Sequence, residues 1–364
     1  MRCLVSSIPY LRLAALAALL ALAVQTQAQT ITTFDPPNSS MTVAVAINLH
    51  GEIAGYYTDG STFPFPMQKG FLRERDGSIT SFEAAPTATW VTDLNLEGEI
   101  VGYFIEPGQI ATSGFQRHRS GTMIRIPSGQ PIASMADSAA ALSGADLCDY
   151  SCIDGTGAFG INARGQIIGV GGGTPYIGFL RQPNGTTVIV DPAPTGSSLV
   201  ASPQAVNFFG QITGFFRAPF PDHGFLRQPN GTYIRFDAPN SASTWPQSIN
   251  TFSQIAGYFT DANGVVHGFA RHPNGTIVIF DPPGSTGTEA ESINLEGEIT
   301  GFYLTTDGKS HGFLRHTNGH IETFDAPGAG GAGTFPKQIN DRGEIVGYYQ
   351  DGNSILHGFV RSRR

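Results

Sequence analysis

The residues best suited to chemistry are aromatic, and they stand at one recurring place. Trp90 and Trp245, the two tryptophans of the chain, each lie five residues before an asparagine (Asn95 and Asn250), and Phe335 has the same offset from Asn340. Gln204, Gln247, Glu291 and Lys337 each stand three residues before an asparagine of the same set. Flat rings beside polar side chains suit stacking on, and hydrogen bonding to, a sugar ring or another flat ligand. Packing between sheets is the competing role for the same rings. A hydrolytic alternative uses carboxylates near these positions, Glu291 and Asp93, as an acid pair.

Other chemistry is spelled out but poorly supported. His223, His267, His311 and His357 each open a His-Gly-Phe triplet. Imidazole is a common metal ligand, yet each histidine belongs to a different repeat, on its third strand, roughly 10 Å outward from the innermost one. They cannot converge on one ion, so no metal site is expected from them. Asp59, Asp261, Asp307 and Asp351 offer oxygen to calcium, but Asp-Gly turns explain them more simply. Gly155–Gly160 spells a dinucleotide fingerprint without the helix that the fingerprint needs. No GxSxG or HExxH motif occurs, and no catalytic residue or cofactor is assigned.

The elements that hold these residues come from a repeat. A Gly-Phe pair recurs with its phenylalanine at 71, 115, 179, 225, 269, 313 and 359. Short apolar strands at this period mean a propeller or an array. Each copy carries four strand signals, seen for example in Pro246–Asn250, Glu344–Tyr349, His311–Arg315 and Thr276–Asp281. Asn48, Asn95, Asn162, Asn207, Asn250, Asn294 and Asn340 open the first turn of every copy. Asn-Gly in "PNGT" marks the third-to-fourth hairpin. The chain starts its first copy with a fourth strand, within residues 31–35, and stops after a third strand ending at Arg361. The expected fold is an all-β, seven-bladed propeller of four-stranded antiparallel blades. Residues 31–35 complete the last blade and close the ring. One irregular gap holds an insert, 128–154, which contains Cys148 and Cys152, a possible short-range disulfide.

The arginines that end the Gly-Phe strands (Arg73, Arg117, Arg181, Arg227, Arg271, Arg315, Arg361) and the carboxylates that end the fourth strands (Asp35, Asp191, Asp237, Asp281 and Asp325, with Glu83 in a sixth copy) read as a regular charge lattice. A catalytic centre needs a unique constellation, whereas repetition in every copy is what a scaffold needs.

Composition bounds the partners. Net charge is −8, and the lysines are Lys69, Lys309 and Lys337 alone, which disfavours nucleic acid and anionic membrane. Residues 1–28 read as a secretory signal, with Arg2 and Arg12 as its positive charges and Leu13–Val24 as an apolar run too short to span a membrane. The single propeller domain is then 29–364, secreted to the periplasm or beyond, with no membrane insertion and an unspecified oligomeric state.

Residues 31–361 resemble the bacterial extracellular repeat family known as HAF, whose units pair an "INxxGxxVG" segment with a "HAF" strand. "IN" followed by "GEI" and the four "HGF" strands carry the likeness. The resemblance implies export and repeat architecture, and no biochemical role. The joint expectation is a binding protein for an extracellular glycan or protein ligand, using the loop face that varies between copies, with a glycan-acting enzyme or a purely structural envelope or matrix protein as the alternatives.

Overall fold

The computed structural model describes residues 30–60, 67–105, 107–108, 111–126, 155–172, 176–193, 200–217 and 220–363. The leader 1–28, the insert 128–154, Cys148 and Cys152 lie outside the described residues. Those described form 28 strands and no helix. The strands pair as antiparallel meanders of four. Ser241–Ile249, Ile255–Asp261, Val266–Arg271 and Ile277–Phe280 form one such sheet in that order. Two sheets of eight strands are pairs of meanders joined by a single parallel bridge, Gly155 to Thr112 in one and Ser310 to Gly333 in the other. Ile31–Phe34 pairs antiparallel with Leu356–Arg361, the last strand, from Ile31 opposite Arg361 to Phe34 opposite Gly358.

The recurring Gly-Phe pair has a packing cause. The first, innermost strand of each meander carries a β-bulge, between Pro246 and Ser248 for example, which drives its backbone toward the second strand. A Cβ on Gly257 would lie 2.4 Å from the Trp245 carbonyl oxygen, so only glycine fits that close approach. The space left by the missing side chain takes the ring of Phe269, which pairs opposite Gly257 and is fully buried. The same ring meets Phe236 of the preceding sheet edge-on at 6.3 Å. Phe71, Phe115, Phe313 and Phe359 repeat this contact against Phe34, Phe82, Phe280 and Phe324. These buried rings are the sheet-to-sheet core, each contact adding about 0.5–1.5 kcal/mol beyond its burial.

The charge lattice resolves differently from the expectation. Arg73, Arg117, Arg271, Arg315 and Arg361 lie over Phe34, Phe82, Phe236, Phe280 and Phe324, with the guanidinium 4.5–4.9 Å from the ring centre. Each outer-strand phenylalanine is thus held between a phenylalanine and an arginine of the next sheet, a cation–π arrangement that a nearly desolvated guanidinium strengthens. Four of the five carboxylates go instead to the histidines, while Asp191 accepts the N–H of Ala193 at 3.0 Å. Nδ1 of His223, His267, His311 and His357 sits 2.7–3.1 Å from Asp237, Asp281, Asp325 and Asp35. The last pair joins the two ends of the chain.

Candidate functional site

The innermost strands set the site, and the asparagines set the innermost strands. Asn250 shows the device. Its Oδ1 accepts the backbone N–H of Phe252 and of Gln254, both at 3.0 Å, which closes the first turn. Its Nδ2 donates to Gln254 Oε1 at 2.7 Å and to the Asn294 carbonyl of the next sheet at 2.9 Å. The inter-sheet bond recurs from Asn48 to Asn95, Asn95 to Asn162, Asn162 to Asn207, Asn207 to Asn250, Asn294 to Asn340, and Asn340 back to Asn48. Seven buried amides therefore fix one end of the inner strands. Even where serine replaces the turn glycine, Ser253 holds a positive φ of 61°.

One step along, polar side chains hold the next layer. Asp93 accepts the N–H of Ile161 at 2.9 Å, Gln338 that of Ile47 at 2.5 Å, and Ser248 and Ser292 those of Ile293 and Ile339 at 3.3 Å. Burial pushes the Asp93 carboxyl up to about 6, opposed by the N–H groups of Ile161 and Leu94 and by Gln338.

Farther from the asparagines the repeat breaks, and the predicted binding residues stand there. Trp90, Trp245 and Phe335 pair across their sheets with Tyr103, Tyr258 and Tyr348. Trp90 stacks on Tyr103 at 5.2 Å and 22°, and Phe335 on Tyr348 at 5.0 Å and 18°. Phe302, opposite Glu289, meets the Phe335 ring at 5.3 Å. Tyr56, opposite Val43, completes the collar. The corresponding pairs in the two remaining copies are Gly157–Val170 and Ser202–Phe215. All the collar rings are half-buried, so each packs on one side and leaves part of its surface open.

Glu291 and Lys337 come together as an ion pair, Nζ to Oε1 at 2.6 Å, with 15% and 29% of their side chains exposed. Lys337 Nζ also lies 5.8 Å from the centre of the Phe302 ring. Burial works against the lysine charge, but Glu291 above all, with Tyr348 and Glu289, overrides it and raises the ammonium pKa. Lys337 is therefore a fixed cation and hydrogen-bond donor, not a nucleophile. Glu289 is pushed up to about 6, first by burial and then by Glu291, with Lys337 pulling the other way. Burial raises the Tyr56 phenol to about 12, with Tyr103 and Tyr348 adding to it. The collar thus offers ring faces, neutral phenols and one ammonium–carboxylate pair, a set suited to a ring that carries hydroxyl groups.

The remaining expected residues are less central. Gln204 donates to Ser202 Oγ of its own strand at 2.8 Å, and Gln247 sits half-buried at the bulge of its strand. Three of the four loop aspartates close their own turns: Asp261 accepts from Asn263 and Val265, Asp307 from Lys309, and Asp351 from Asn353 and Ile355; Asp59 instead pairs with Lys69 Nζ at 3.0 Å. Among the described residues no group of three or more side chains is placed to hold a metal. Sequence reasoning missed Tyr56, Tyr103, Tyr258, Tyr348, Phe302 and Glu289. The signal was present: the residue after each second-strand glycine is aromatic in six copies, and hairpin pairing carries it opposite the tryptophan position.

No family model matches the chain, and no curated protein matches it in sequence. Solved structures do match in shape. A streptogramin B lyase superposes with a TM-score of 0.59 at 16% identity, over 92% of this chain and 98% of that one. The β-propeller domain of the Trilobed protease from Pyrococcus furiosus gives 0.57 at 8%, over 90% and 95%. The BP39L lectin from Burkholderia pseudomallei gives 0.50 at 9%, over 90% and 98%. At such identities the likeness establishes the fold, a β-propeller, and leaves the chemistry to this chain's own residues.

Proposed function

We propose that this chain is an exported, non-enzymatic β-propeller of seven blades that binds an extracellular carbohydrate in the aromatic collar. Two observations support the closed ring. The asparagine hydrogen bonds return from Asn340 to Asn48, and the terminal strands share one sheet. The leader-like residues 1–28 and the HAF-type repeat support export.

The observation that carries the binding role is the break in the repeat. Asn, Gly, Phe and Arg recur because every sheet needs them. Trp90, Trp245, Phe335, Glu289, Glu291 and Lys337 stand at two inner-strand positions that differ from copy to copy, beside second-strand aromatics that do recur. A scaffold does not require that set, whereas a ligand does. The two carboxylates weighed for hydrolysis are both engaged, Glu291 by Lys337 and Asp93 by Ile161, which favours binding over an acid pair made of these two. The test is a glycan array probed with the chain lacking residues 1–28, with and without calcium. Saturable binding that is lost on Trp90→Ala is the expected result. A blank array in both conditions would turn the search to protein ligands.

A further inference from the structure

A second departure from the repeat lies outward of Trp245. Arg217 stands where other copies have Thr58, Ile105, Thr260, Leu304 or Gln350, and Asp222 where they have Gln68, Thr112, Val266, Ser310 or Leu356. These two residues face each other across their hairpin as a bidentate pair, Nε to Oδ1 at 2.7 Å and the terminal nitrogen to Oδ2 at 2.9 Å. Asp222 is 4% exposed. Its Oδ2 also accepts the indole N–H of Trp245, in the next sheet, at 3.0 Å, and its backbone N–H donates to Ser243 Oγ at 3.3 Å. On the other side, the Arg217 guanidinium lies 4.9 Å from the centre of the Phe220 ring. Phe220 is 72% exposed, the most open large apolar side chain among the described residues.

One buried carboxylate thus sets the orientation of two rings, one at the collar and one outside it. A buried ion pair is no more stabilising than apolar residues of similar volume, and Val266 and Leu356 show that apolar residues suit the Asp222 position. Stability therefore does not explain the pair, but placement of Trp245 and Phe220 does. An exposed phenylalanine braced by a guanidinium is pre-organised for stacking, because its ring has already lost the freedom that binding would otherwise cost.

We infer that Phe220 and Trp245 form an outer subsite that stacks a second ring of the same ligand, with Asp222 as its positioning residue. The ligand is accordingly an uncharged oligosaccharide of two or more rings, not a monosaccharide. This rests on the carbohydrate reading of the collar. With Lys337 taken up by Glu291 and Arg217 by Asp222, and Glu289 left beside the collar, an acidic sugar is a poor occupant.

The test uses β-1,4-linked glucose and N-acetylglucosamine oligomers of one to four rings, whose equatorial substituents leave flat C–H faces. Affinity is read by isothermal titration and by tryptophan emission. Phe220→Ala, at an exposed position where folding is not at risk, should weaken three- and four-ring sugars about tenfold, the size of one lost aromatic contact, and one-ring sugars less than twofold. Asp222→Asn should give the same length-dependent loss and also change the Trp245 emission of the ligand-free protein. Equal affinity for one and four rings, or an equal loss at every length in Phe220→Ala, overturns the subsite while leaving the collar reading intact. Failure of every length to bind the unsubstituted chain overturns both.

Discussion

Replacing Asn250 by alanine should cost far more than its polar, turn-forming character suggests. The side chain is 4% exposed and makes four hydrogen bonds, to Phe252 N, Gln254 N, Gln254 Oε1 and Asn294 O. At about 1 kcal/mol of net stability each, their loss totals about 4 kcal/mol, with groups left unpaired in a buried place adding to it. An unfolding entropy of about 2.1 cal/mol/K per residue over about 300 ordered residues gives about 0.6 kcal/mol/K, so the midpoint should fall by roughly 6 °C. The control is Asn230→Ala, in an exposed hairpin where the side chain accepts only from Thr232 N and Oγ1. That change should cost about 0.5 kcal/mol and move the midpoint by about 1 °C. Differential scanning calorimetry of both variants measures the difference. If Asn250→Ala melted within 2 °C of the parent, the amide succession would not be what fixes the inner strands, and the reasoning would fail.

Three further outcomes follow from the same contacts. Trp90→Ala removes a half-buried ring stacked on Tyr103, so it should lower sugar affinity at least tenfold while costing only about 1 kcal/mol of stability; a loss of several kcal/mol would mark the ring as packing instead. Glu289, raised from 4.5 to about 6 in the fold, contributes stability that is fully present below pH 4.5 and lost as pH rises through 6. Glu289→Gln has no such loss, so its unfolding free energy should gain on the parent between pH 4.5 and 7 by on the order of 1–2 kcal/mol, and a gap that narrows over that range would contradict the assignment. Deleting residues 30–35 removes the partner of the last strand, the Phe34–Phe71 contact and the Asp35–His357 pair. The bare edge should drive self-association, read by light scattering after gel filtration, and a monomer of unchanged stability would argue against closure by the termini.

The architecture was legible because the repeat states the same requirement many times. Gly257 opposite Phe269, the Asn250 turn and the positive-φ position at Ser253 are local rules, visible as spacing. The placement of Trp90, Trp245 and Phe335 at one level also followed from spacing, since their offset from the asparagines is constant. What spacing does not carry is partner identity across sheets. The arginines were expected in a charge lattice, but Arg271 meets the Phe236 ring of the preceding sheet and Asp281 meets His267. The first choice depends on the relative rotation of neighbouring sheets, and the second on pairing within one hairpin, where His267 and Asp281 flank the Gly268–Phe280 pair. The Lys337–Glu291 pair was named only as two separate residues, because they lie on adjacent inner strands 46 positions apart. Asp222 escaped notice for the same reason: its partners Arg217 and Trp245 lie on two different sheets.

The central claim is that the collar binds carbohydrate, and the most direct measurement is glycan-array binding by the chain from residue 29 onward, in parallel with Trp90→Ala and Trp245→Ala. Saturable binding to uncharged oligosaccharides, with a change in tryptophan emission and a loss of binding in both variants, is the predicted result. Binding that survives both substitutions, or none by the parent chain to any glycan, would contradict it.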